Sequence, residues 1–297
     1  MPDTSLYEEE HYPTPLQGTW HEFRQRHVAV VGLGILIFFI IMAIMGPIFT
    51  PFDPTTQHTD ALLIPPAWND NGSILHILGT DALGRDMMTR LFYGTQMTLF
   101  ASIITVLAAL CIGVILGVIA GMAPGIRSSL INHVLDILML TPTLLIAIVI
   151  VAILGTGLTN AMLAIGLALI PRFVHVTRDF VRLEMSMDYI LTAKLDGATS
   201  TALFTHNILP NMVERLIVQG TLAISVAILD ISALGFLNLG AQTLMPELGV
   251  MVADALSTAY IAPWNIFLPG LAIFLMVLSV NIVGDGLRSA HRSRMSH

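Results

Sequence analysis

Six stretches of this chain are long, apolar and almost free of charge, and that feature limits its fold more than any other. A helix needs about 20 apolar residues to cross the hydrocarbon core of a bilayer. Residues 28–49 supply them without a charge, and 97–122 form a second run inside the uncharged stretch between Arg90 and Arg127. A third runs from about 131 to 154, with Asp136 near its start. A shorter fourth, 161–176, is interrupted by Pro171 and Arg172. The fifth, 216–237, carries Asp230, and the sixth is 265–283. The expected class is therefore all-α, a polytopic membrane protein with six transmembrane helices.

Composition agrees. Only 11% of residues are charged, against about 25% in soluble domains, which argues against a globular cytosolic enzyme. A formal charge of −7 argues against nucleic acid, which wants a basic face. The single cysteine, Cys111, lies in an apolar run; it permits no intrachain disulfide and reads as a small core hydrophobe.

Lysine and arginine set orientation, because acidic residues contribute little to topology. Six spans place both termini on one side, with Arg24, Arg26, Arg127, Arg172, Arg178, Arg182, Lys194, Arg215, Arg288, Arg292 and Arg294. The other side holds only Arg85 and Arg90, so the termini are expected in the cytoplasm. The first run is too long for a signal-peptide core and no small-residue cleavage site follows it, so it reads as an anchor. The resulting plan is a cytoplasmic tail (1–27), a first helix (28–49), an outside loop (50–96), a five-helix core (97–287) and a cytoplasmic tail (288–297).

Soluble-enzyme motifs are missing. The chain has no GxxxxGK[ST] phosphate loop, HExxH, CxxC or GxSxG. His133 and Asp136 make one helical i, i+3 pair, better read as a polar pair facing the bundle than as a metal site. No catalytic residue and no metal ligand are expected. Gly113, Gly117 and Gly121 recur every fourth residue in the second span, a spacing that lets another helix backbone approach closely. In the outside loop, Asp81, Arg85, Asp86 and Arg90 either pair among themselves or form a docking surface. Asp230 reads as an interhelical polar contact or as an acid lining a pathway, since intramembrane carboxyls avoid lipid.

One segment stands apart. "DYILTAKLDGATSTALFTHNILPN", residues 188–211, is polar and punctuated by turns, and it holds the only lysine. Asp188 can cap a short helix that Gly197 stops. Thr199 or Ser200 can cap a second one, and Pro210 fits the start of the next span. The product is a helix–turn–helix lying across one face. Its apolar residues Ile190, Leu191, Leu203 and Phe204 suit a groove on another protein, or else pack back on their own bundle.

This segment resembles the coupling loop of ABC-importer permeases, EAAxxxG followed by LP. Thr192-Ala193 stand for the alanines, Gly197 is the glycine and Leu209-Pro210-Asn211 closes the motif; Leu191 replaces the leading glutamate. "LGTDALGRDMMTRLFYG", "DILMLTPTLLIAI", "ILDISALGFLNLG", "PELGVM", "APWNIFLPGLAIF" and "NIVGDGLR" resemble, in order, stretches of the dipeptide/oligopeptide/nickel importer permeases. The forms "LLIPPAWND" and "AKLDGAT" look closest to the C-type permeases of its Sap (sensitivity to antimicrobial peptides) branch.

The resemblance implies the type I ABC-importer permease fold in a bacterial inner membrane. It implies a homologous second permease, two ATPase subunits that bind ATP-Mg, and a periplasmic substrate-binding protein that docks on the outer loops. Ile190, Leu191, Ala193, Gly197, Leu203, Phe204 and Pro210 would form the ATPase-coupling element, and this chain would bind no cofactor itself. The implied cargo is peptides, with haem or polyamines as further candidates. The alternative is an ion-coupled secondary transporter, whose usual sign, inverted repeats with broken helices, is not found.

Overall fold

The computed structural model describes residues 15–122, 139–242 and 245–295. Among the described residues the regular structure is helical, with two isolated bridges in the loop of residues 50–86 and no strand. In chain order the helices are α1 (Pro15–Arg24), α2 (His27–Phe49), α3 (Met87–Met122), α4 (Thr143–Leu154), α5 (Leu158–Met185), α6 (Asp188–Leu195), α7 (Ser200–Phe236), α8 (Leu248–Ala255) and α9 (Trp264–Met295). Five of them, α2, α3, α5, α7 and α9, are long and apolar enough to cross a membrane. The third expected span is described only from residue 139, where Thr141 and Pro142 break the helix just before α4. His133 and Asp136 lie outside the described residues.

Several elements differ from the sequence reading, each for a physical reason. α5 does not break at Pro171 but runs on to Met185; a proline in a membrane helix loses one hydrogen bond, and neighbouring helices tolerate it. The second short helix expected after Gly197 is continuous with the fifth span, as the first turns of the 37-residue α7. A π segment, Leu203–Ile208, lies inside it, and the Leu209 N–H reaches back to the Phe204 carbonyl. Pro210, which has no N–H to give, follows directly on that widened turn. Two helices were not anticipated. α1 lies in the expected tail, and α8 in the loop between the last two spans. Cys111 is exposed on α3 rather than packed in the core.

Close packing of α3 on α5 organises one half of the bundle. A Cβ added at Gly113, Gly117 or Gly121 would lie 2.4 Å from Phe173 Cβ, 2.6 Å from Thr177 Cβ and 2.7 Å from Val181 Cβ, respectively. Both rows step by four residues, so a ridge of α5 sits in the glycine groove of α3. Buried residues of α3, α4, α5 and α7 form one core, including Val106, Val151, Leu169, Phe173 and Ile231. A second core joins α2, α3, α7, α8 and α9 through Phe39, Leu99, Ile228, Met251 and Met276.

The two ends of the bundle differ. At one end, Phe23 of α1 is buried against α2 and α9, and Thr19 donates to Glu214 of α7 at 2.8 Å. α6 lies at this end too. The loop of residues 50–86 and α8 cover the other end, near the starts of α3 and α9, where Asn265 donates to the Thr80 carbonyl at 3.2 Å.

Candidate functional site

α6 is a two-turn helix between two long spans. Gly197 ends it with φ +88°, its N–H reaching the Lys194 carbonyl while Ala198 N–H reaches Ala193 O. Those bonds satisfy the last carbonyls of the helix, and the left-handed conformation favours glycine. Thr199 caps the next helix by accepting from Ala202 N–H.

The apolar residues of the segment divide between two faces. Ile190 and Leu203 are buried with Phe180, Val181, Ile208 and Met212, and Phe204 and Ala193 pack partly against the same cluster. The expectation that Ile190 and Leu203 seat in a partner's groove is therefore corrected: they hold α6 to its own bundle. The outward face carries Leu191, 58% exposed, and Leu195, 81% exposed, with Tyr189 and Met187 beside them. Gly197 and Pro210 are also exposed. Leu195 was not singled out in the sequence, although its spacing of four from Leu191 is a helical-face signal.

Polar bonds fasten the near end of α6. The Glu184 carboxylate, in the last turn of α5, accepts from the Tyr189 hydroxyl and from Asn211 Nδ2, the latter at 2.8 Å. Partial burial, and then the bond to Glu184 and its charge, push the Tyr189 phenol up to about 12. Nothing in the sequence marked these three as partners, because 27 residues separate Glu184 from Asn211.

At the opposite end, the outer-loop charges take the first of their two readings and pair among themselves. Asp81 accepts from Arg85 Nε at 2.6 Å and from Arg90, while Arg85 and Arg90 reach Asp254 of α8 at 3.0 and 3.3 Å. Asp86 accepts from Thr89 N–H and hydroxyl at the start of α3, and lies 3.0 Å from His76 Nδ1. Asp81, Arg85 and Asp86 are all buried, so the candidate docking surface is corrected: these side chains fasten the loop to α3 and α8. A small cleft lined by Leu83, Met87, Met251 and Ala255 opens beside them. Burial pushes the Asp81 carboxyl up, but the guanidinium charges of Arg90 and Arg85 and the Arg85 N–H outweigh it and hold the carboxyl below the ordinary range.

Glu247 stands second in the "PELGVM" stretch. It is fully buried and caps α8, accepting from Val250 N–H at 3.0 Å, Thr98 Oγ1 at 2.9 Å and Ser232 Oγ at 3.4 Å. α8 is thereby tied to α3 and α7. Burial pushes this carboxyl up, and its donors offset part of the rise. Asp230, buried in α7, accepts from Thr143 Oγ1 of α4 at 2.8 Å, a bond between two helices. Asp136 lies outside the described residues. Among the described residues no group of three or more metal-ligating side chains occurs.

Comparison with known proteins supplies the context. The model for "Binding-protein-dependent transport system inner membrane component" matches residues 113–297, and that for the N-terminal TM domain of oligopeptide transport permease C matches 14–66. The chain is 42% identical to the peptide transport system permease protein SapC of Escherichia coli O6:H1, over 98% of each chain. It is 45% identical to the dipeptide transport system permease protein DppC of Escherichia coli K12, over 93% of this chain and 92% of that one. Among solved structures, the MetNI methionine ABC transporter in inward-facing conformations aligns with a TM-score of 0.56 and 19% identity, over 69% of this chain and 97% of that chain. The relatives are transport permeases rather than enzymes, and the shared fold is that of an ABC-importer permease. The secondary-transporter alternative is set aside.

Proposed function

The chain belongs to the family of binding-protein-dependent transport system inner membrane components, and from that membership we propose that it is one permease of an ATP-driven peptide importer. The observation that carries the proposal is near-full-length similarity to peptide permeases, joined to a short helix whose exposed apolar face stands between two spans. In this reading a homologous second permease completes the pathway, two ATPase subunits bind ATP-Mg, and a periplasmic binding protein delivers cargo. This chain contributes no catalytic residue and no cofactor ligand.

The coupling element is α6. Tyr189, Leu191 and Leu195 seat in an ATPase groove in the helix-in-groove manner, while Ile190 and Leu203 carry the movement into the bundle. α6 and both termini are cytoplasmic. The outer loop and α8 are periplasmic, and the binding protein docks on their exposed parts. Peptides are the substrate class, with haem and polyamines as further cargo to assay. Asp230 lines the pathway and favours cationic cargo.

The test is purification of the complex with its native partners, followed by uptake of labelled peptides into sealed vesicles. ATP-dependent uptake that survives a proton ionophore supports the proposal. Uptake that needs no ATP and collapses with the ionophore refutes it.

A further inference from the structure

Two kinds of contact hold α6 to the rest of the molecule, and they have different mechanical properties. The apolar contacts of Ile190, Leu203, Ile208 and Met212 are non-directional, so they fix how close α6 lies without fixing its angle. The bonds to Glu184 are directional. Its carboxylate takes the Tyr189 hydroxyl from the first turn of α6 and the Asn211 amide from α7, and Asn211 Nδ2 is also 3.5 Å from the Tyr189 oxygen. Glu184 itself is largely buried at the end of α5. Three helices therefore meet at one carboxylate, located at the near end of α6.

The far end is built differently. Leu195 is among the most exposed apolar residues of the chain, and nothing lies within 4 Å of where a Gly197 side chain would begin. After Gly197 the chain enters α7, whose π segment Leu203–Ile208 is a turn of loosened hydrogen-bond register. A helix fastened by directional bonds at one end, and at the other only by the apolar packing of Ala193 and Ala198, is a lever.

We propose that Glu184 is the pivot of that lever, the positioning residue that turns displacement of α6 into movement of α5 and α7 together. The proposal rests on α6 being the coupling element. An acceptor is what the pivot requires, since both partners donate, so glutamine in place of glutamate keeps the link and alanine removes it. Tyr189→Phe removes one donor and Asn211→Ala the other.

The experiment compares Glu184→Ala, Glu184→Gln and the unaltered chain in the purified complex, with two readouts. The first is peptide taken up per ATP hydrolysed in vesicles. Glu184→Ala is expected to lower this ratio by about tenfold, the size that loss of hydrogen bonds to a charged acceptor brings, while ATP is still hydrolysed and all subunits remain bound. Glu184→Gln is expected to restore most of the ratio.

The second readout is hydrogen exchange of the α6 amides in the full chain. It should be faster by about tenfold in Glu184→Ala alone, with α3 and α9 unchanged. This readout needs no transport, so it judges the pivot even if the complex proves to carry no peptide. Equal loss of hydrolysis and uptake in Glu184→Ala overturns the proposal, because that is what a purely structural residue gives. Unchanged α6 exchange overturns it too, as does a glutamine variant as defective as the alanine one.

Discussion

Gly249→Ala is the substitution whose cost the structure sets most sharply. A Cβ at Gly249 would stand 1.9 Å from the Ser232 carbonyl oxygen and 2.6 Å from its carbon, and both atoms are backbone of α7. Ordinary contact begins near 3.4 Å, so α8 must retreat from α7 by roughly 1.5 Å, a shift of the kind that overpacking forces on a dense core. α8 is not free to retreat, because Glu247, two residues earlier, is bonded to Thr98 of α3 and Ser232 of α7. Overpacking costs about 1–3 kcal/mol, and stretching hydrogen bonds to a buried carboxylate adds about 1.5–3 kcal/mol. Together these amount to roughly 2.5–6 kcal/mol, which corresponds to about 4–10 °C in a chain of this size. The assay is the thermal unfolding midpoint of the purified chain in detergent, followed by intrinsic fluorescence. Gly34→Ala is the control: nothing lies within 4 Å of that position in α2, and alanine favours helix over glycine by about 1 kcal/mol. The reasoning is refuted if Gly249→Ala melts with the control.

Four further expectations can be checked alongside. Arg90→Met leaves Asp81 buried with one guanidinium fewer and should cost about 3–5 kcal/mol, as breaking a buried ion pair does, and Asp254→Asn, at a site more open to water but facing two buried guanidiniums, should cost less than that; unfolding midpoints decide. Because the Asp81 carboxyl is held below its ordinary value, its contribution to stability is present above about pH 3.9 and lost as pH falls through the lowered value. Midpoints measured from pH 6 downward should therefore fall less in Asp81→Asn than in the unaltered chain. Asp230→Asn keeps a partner for Thr143 but removes the charge, so competitive uptake should show a larger loss for cationic than for neutral peptides; an equal loss leaves Asp230 a purely structural role. Cysteines placed at Asn71 and Asn238 should label from outside sealed cells and one at Ser200 should not, with Cys111 first replaced because it is exposed.

Five of the six expected spans were legible because an apolar run of bilayer length has few other uses, and the glycine row of α3 was legible because its spacing is a packing rule in itself. α1 and α8 were not. α1 is short and has polar neighbours, so its stability comes from Phe23 packing on α9. α8 depends on a cap, Glu247, whose other partners are 149 residues and 15 residues away in the chain. The π segment was hidden for a similar reason. A proline one residue into an apolar stretch reads as a helix start, and only the preceding backbone shows that the helix was already under way.

The coupling segment shows why the site was harder to read than the fold. In a soluble protein an apolar face points away from water, so its direction follows from the sequence. Here a buried core, a lipid tail and a partner's groove are all apolar, and the hydrophobic pattern cannot choose among them. Ile190 and Leu191 are adjacent and alike, yet one is fully buried on its own bundle and the other is more than half exposed. The asymmetry comes from polar atoms: the Glu184, Tyr189 and Asn211 bonds fix the rotation of α6, and that rotation sends Ile190 inward and Leu191 outward. The same logic corrects the outer loop, where Asp81, Arg85 and Asp86 looked like surface because charge usually is. Asp81, Arg85, Arg90 and Asp254 satisfy one another, and Asp86 accepts from Thr89 and lies beside His76, so burial became affordable. In an apolar chain the scarce polar residues choose the orientation, and it is their long-range pairing that a single sequence conceals.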